Sequence, residues 1–139
     1  MINDENKYLS QLDETDSEYR EQQKKEDELY SQLRANGIKR DEIEKNSYNL
    51  KNSNEDFFEM SFKNKSILNT ISERLNEGEK RMDPKLKATL DEIRSMIIDM
   101  ERAQQEFVDD MKAKINRELT RLREEENSIR SKLNKIEKR

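Results

Sequence analysis

From Asp83 to Lys138 apolar residues return at intervals of three and four: Leu86, Leu90, Ile93, Ile97, Met100, Phe107, Met111, Ile115, Leu119, Leu122, Ile129, Leu133 and Ile136. That spacing is a helical seam. With Gln104 and Glu126 in its two polar gaps, 90–111 and 119–136 form heptad frames joined by two successive four-residue steps, a stutter that locally unwinds a left-handed supercoil. Asp83-Pro84 reads as an N-cap followed by proline at the first helical position. The pattern predicts a helix over 84–138, about 80 Å long at the usual rise per residue.

A second seam starts at Ile43 and passes through Leu50, Phe57, Leu68, Ile71, Leu75 and Met82, widened by Phe58 and Phe62. It predicts a helix over 41–78, opened by the capping box Asp41 to Glu44. Asparagines and serines between Asn46 and Asn54 weaken helix propensity there. Upstream, residues 4–36 form a sparser helix. Tyr8, Tyr19 and Tyr30 recur every eleven residues, three turns apart, with Leu12, Leu29 and Leu33 beside them. The plain reading of that stripe is a thinly buried helix packed on its own chain; a partner-facing rim is the alternative. Asn36-Gly37 reads as the stop or kink of this helix, with Ile38 folding back on Leu33.

Gly78 and Pro84 bracket the main reversal, and a hairpin turning near residue 81 sets 93–111 opposite about 51–69. The expected fold is therefore all-α: an elongated antiparallel hairpin of helices 41–78 and 84–138 with an additional N-terminal helix 4–36, in one helical domain with coiled-coil-like packing. Met96, Ile97, Ile98, Met100 and Val108 spread beyond one stripe, so this part of the long helix should touch more than one neighbour. The belt Ile93 to Met111 opposite Phe57 to Leu75 supplies the candidate partner-binding residues: Phe57, Phe58, Phe62, Leu68, Ile71, Ile93, Ile97, Ile98, Met100, Phe107 and Met111.

Composition narrows the chemistry. The 139 residues are 43% charged and 30% hydrophobic, the statistics of a helical bundle or coiled coil rather than an α/β enzyme. A disordered chain shares that composition but not the helical repeat of apolar residues. Cysteine and histidine are both absent, so thiolate nucleophiles, disulfides, imidazole bases and the usual zinc sites are excluded. Glu124-Glu125-Glu126 and Asp109-Asp110 point in different directions on a helix and read as solvated faces. Phosphate loops, EF-hand spacing and nucleophile–base pairs are also missing. The expectation is a protein without catalytic, cofactor-binding or metal-binding residues. No apolar run reaches 18 residues and the chain starts polar and acidic, which argues against a membrane span or a cleavable signal.

The net charge of −4 gives nucleic acid or an anionic membrane no general attraction. It is unevenly distributed: 1–36 holds ten acids and five bases, 112–139 ten bases and five acids. A chain folded back near its middle brings these ends together.

The order of features resembles a group of small bacterial helical proteins. An acidic first helix is followed by the cluster Asp56-Phe57-Phe58-Glu59-Met60, by Leu68-Asn69-Thr70-Ile71, by a turn, and by a long helix ending in the Arg/Glu-rich run Leu119 to Leu133. This is similar, over about residues 57–137, to the second, larger class of LXG-toxin-associated α-helical targeting factors of the Gram-positive type VII secretion system. The resemblance implies a cytoplasmic chaperone that pairs with the helical N-terminal domain of a secreted toxin and helps present it for export. Co-export with that partner, a second small helical partner and homo-oligomerisation stay open. The chain departs from the secretion substrates themselves. It has no tryptophan for a Trp-x-Gly turn, and no Tyr or Phe is followed four residues later by an acid. An accessory role, with the export signal supplied by another subunit, fits better. The alternative reading is a self-associating structural coiled coil.

Overall fold

The computed structural model describes the backbone of residues 2–78 and 83–138 and the side chains of residues 14–77 and 83–138. Two helices make up the fold, α1 (Ile2–Gly78, 77 residues) and α2 (Pro84–Glu137, 54 residues), packed as an antiparallel hairpin with no strand among the described residues. The start of α2 follows from Asp83-Pro84. The Asp83 carboxylate accepts from the Lys85 amide at 3.0 Å, its carbonyl accepts from Lys87, and Pro84 occupies the position where no amide is needed. The chain reversal and the expected seam position Met82 lie outside the described residues.

The expected separation of helices 4–36 and 41–78 is replaced by one continuous α1. Gly37 has no positive φ, so no left-handed stop forms, and Ile38 is 62% exposed rather than seated on Leu33. The reason is tertiary. Asn36, read from the sequence as a terminus, is the most deeply buried polar residue among those described and donates its Nδ2 to the Leu122 carbonyl at 2.8 Å. A glycine inside a helix costs only about 1 kcal/mol, which packing against α2 outweighs. The asparagine-rich stretch is helical as well, and Asn54 accepts a bond from Gln104 at 3.4 Å.

The contacts divide the chain into two compact units. Unit 1 comprises Met1–Ile43 and Glu118–Arg139. Its core is Leu29, Ile129 and Leu133, with Leu33 and Ile136 packed against it, and Leu122 is completely buried. Antiparallel pairing shows in the bond from Gln22 to the Ile136 carbonyl at 3.1 Å and in the Arg40–Glu126 ion pair at 2.9 Å. Tyr19 and Tyr30 stay largely exposed beside this core, while Tyr8 and Leu12 lie outside the described side chains. The Tyr30 hydroxyl donates to Glu137 at 2.6 Å, and this bond to a carboxylate raises the phenol above its ordinary pKa. On α2, the Arg121 guanidinium lowers the Glu118 carboxyl below its usual range. Unit 1 brings the acidic and basic ends together, yet the ion pair bridging it has its base on α1.

Unit 2, Glu44–Arg117, is thinner in apolar core. Leu68, Leu90 and Val108 are its buried apolar residues, joined by Ser61. Cross-helix pairing is polar: Gln104 with Asn54, Lys65 with Glu101, and Arg94 donating to Ser72 at 2.7 Å and to Asn69 at 3.3 Å. These pairs place 93–111 opposite 51–69, as the sequence spacing predicts.

A candidate helix-docking surface

The sequence places Leu90, Ile93, Ile97, Met100, Gln104, Phe107 and Met111 on one seam and leaves open what covers it. In unit 2 the least exposed positions of α2 are 90, 94, 97, 101, 104, 108, 111 and 115. Alternate layers are turned by one residue, so Arg94, Glu101 and Val108 face α1. Val108 is 1% exposed, whereas its neighbour Phe107, a candidate partner-binding residue, is 53% exposed. The polar residues of α1 at these levels account for the rotation. Lys65 meets Glu101, and Ser72 and Asn69 meet Arg94, so two charged layers of α2 find partners.

Rotating α2 this way leaves an apolar face that none of the described residues covers. On α1, Phe57, Met60, Asn64, Ile67 and Ile71 follow one another by three and four and therefore lie on one stripe. On α2, Ile93, Met96, Ile97 and Met100 line the same groove. Asn64, Ile67, Leu68, Ile93, Met96, Ile97 and Met100 enclose a trough of about 360 Å³. A second, smaller recess shares Asn64, Ile97 and Met100 and adds Phe57, Met60 and Ser61. Phe107 continues the stripe two turns beyond Met100.

The predicted binding residues thus separate. Phe57, Ile71, Ile93, Ile97, Met100 and Phe107 belong to the groove face by contact or spacing. Leu68 is 8% exposed and forms the groove floor, so it acts mainly in the hairpin's own core, and Met111 is half-buried. Phe58, Phe62 and Ile98 fall on the opposite flank, about 100–180° around their helices from the groove stripe, the flank bridged by Lys65–Glu101 and Arg94–Ser72. Phe57 and Phe58 meet edge to face at a ring separation of 5.5 Å, so this pair reaches from one flank to the other. The sequence reading missed Met60, Asn64 and Ile67. The 57–60–64–67–71 frame is present in the sequence, but Asn64 interrupts it and it runs beside the more apolar seam through Phe57, Leu68 and Leu75.

Two polar groups interrupt the apolar lining. Ser61 is 7% exposed and its hydroxyl oxygen is buried without a hydrogen-bond partner, while Asn64, one turn on, opens to solvent in both recesses. The surface therefore offers apolar contact and a small hydrogen-bonding layer, which is binding chemistry. Among the described residues, no group of three or more potential ligands is placed to hold a metal ion. No protein family, curated protein or solved structure matches this chain.

Proposed function

We propose that this chain is a non-enzymatic helical binding protein in which the groove face of unit 2 pairs with an amphipathic helix of a partner. Its biological role, on this reading, is that of a targeting factor or chaperone for a type VII-secreted LXG-type toxin, whose N-terminal helical region supplies that helix. The observation that supports binding is the exposure of Met60 (65%), Ile67 (56%), Met96 (61%), Met100 (58%) and Phe107 (53%) along one face. Including the less exposed Ile71 and Ile93, this amounts to roughly 700 Å² of apolar surface, above what a monomer usually shows and near one side of a standard interface. Methionines suit such a surface because their flexible thioethers adapt to another helix. A helix lying in the groove would meet residues repeating every three and four on both walls, the helix-in-groove mode of recognition.

The toxin assignment is supported by the resemblance in the order of sequence features. On that assignment the protein acts in the cytoplasm before export. Among the described residues no helix is long and apolar enough to cross a membrane. Co-expression with the N-terminal regions of toxins from the same locus tests the proposal. Wild-type chain should co-purify with one of them, and Ile97→Asp should abolish this because an unpaired charge would be buried in the interface. Failure of every such region to co-purify removes the toxin assignment.

A further inference from the structure

The groove face has a property that one-sided recognition of a foreign helix does not require: it is nearly symmetric about its own centre. Along α1 the order is Phe57 and Met60, then Ser61 and Asn64, then Ile67 and Ile71, so the polar layer sits midway. Along α2, Ile93, Met96 and Ile97 lie to one side of Met100 and Phe107 to the other. Asn64 and Met100 are level with each other, since both line both recesses and the adjacent Lys65 and Glu101 are paired.

We infer that, before cargo arrives, this face is closed by the same face of a second copy of the chain, antiparallel to the first, about a two-fold axis beside Asn64. Interfaces between identical copies use one patch twice, so the patch must complement itself under the two-fold rotation. Here the rotation lays apolar half on apolar half and brings the exposed amide of Asn64 beside Asn64 of the other copy.

Charge agrees with this orientation. Asp56 lies on the stripe of Met60 and Ile67 at one end of the face and Arg74 on the same stripe at the other. An antiparallel copy sets Asp56 of one chain against Arg74 of the other. Two such faces bury roughly 1,400 Å² together, within the range of stable protein interfaces. The second copy and the toxin helix occupy one surface, so cargo binding would dissociate the dimer; that competition rests on the function proposed above, whereas dimerisation itself does not.

The absence of cysteine makes the geometry directly testable, because an introduced thiol is the only one in the chain. Sedimentation velocity on the full chain at tens of micromolar should give a dimer, and Met100→Glu should give a monomer of unchanged helicity. Under mild oxidation Asn64→Cys should link to itself in high yield. Ile71→Cys should not, because its two copies lie roughly 20 Å apart across the axis. A mixture of Asp56→Cys and Arg74→Cys chains should link to each other.

A wild-type monomer at 100 micromolar overturns the inference, as does a dimer indifferent to Met100→Glu. Efficient self-linking of Ile71→Cys overturns the antiparallel arrangement. A toxin region that binds the intact dimer overturns the competition alone. A dimer of this geometry that binds no toxin region leaves the inference standing and removes the function proposed above; a monomer that captures one does the reverse.

Discussion

The amide of Asn36 reaches across unit 1 and donates to the main-chain carbonyl of Leu122 at 2.8 Å, with both residues almost wholly sealed from water. A carbonyl oxygen carries two lone pairs, so Leu122 can accept this bond beside its own helical one. Between the apolar layer of Leu29 and Leu33 and the Arg40–Glu126 ion pair, such a contact fixes which turn of α1 lies against which turn of α2.

Replacing that amide by a carboxylate turns attraction into repulsion. Asn36→Asp is expected to destabilise the fold by about 3 kcal/mol at neutral pH, whereas Asn36→Leu, which removes the polar group altogether, should cost far less. Urea unfolding followed by circular dichroism separates the two. An Asp variant that melts with the wild type would sink the account of Asn36 as a buried register contact.

One glycine remains in the middle of α1 without a structural need for it. Gly37 has helical backbone, and a Cβ added there meets nothing within 4 Å. Gly37→Ala should therefore stabilise the chain by about 1 kcal/mol, seen as a higher thermal midpoint; a lower one would mean that the helix bends there in solution.

Val108 and Phe107 are neighbours with opposite roles. Val108→Asp should unfold unit 2, because the charge would be buried against α1. Phe107→Asp should leave the helical circular dichroism signal intact and abolish partner binding. Loss of fold in both variants would mean that Phe107 too is buried against α1.

The phenol of Tyr30 should ionise above its ordinary value, because its hydrogen bond to Glu137 favours the neutral form. A proton held more tightly in the folded state makes this contact fully present below pH about 10 and lost as pH rises through the folded value. Ultraviolet titration of tyrosinate should show a late step that disappears in Tyr30→Phe. Glu118 runs the other way: its carboxyl is lowered by Arg121, so that contact is lost as pH falls.

Surface charge pairs should matter little. Glu125 sits 3.5 Å from Arg121 with both side chains about half exposed, and Glu125→Lys is expected to change stability by less than about 1 kcal/mol and to leave partner binding intact.

Sequence alone determined that the chain is helical, that α2 begins at Asp83-Pro84, and that 93–111 lies opposite 51–69. Each is a local or near-local property: a periodicity, a cap, or a reversal between two helix breakers. Tertiary packing decided the rest. Asn36-Gly37 carries the signature of a helix stop, and only the bond from Asn36 to Leu122 explains why the helix continues.

The same holds for the candidate site. A heptad pattern says that some face of α2 is apolar, but Ile93/Arg94, Met100/Glu101 and Phe107/Val108 offer two frames one residue apart. Sequence favoured the more hydrophobic frame. The structure takes the other because Lys65, Asn69 and Ser72 of α1 can satisfy Arg94 and Glu101, while burying Ile93 and Met100 there would have left those polar groups of α1 without partners. A side chain's neighbours across a helix pair are set by how far each helix is rotated about its own axis, and that angle is a property of the pair, invisible in either helix by itself.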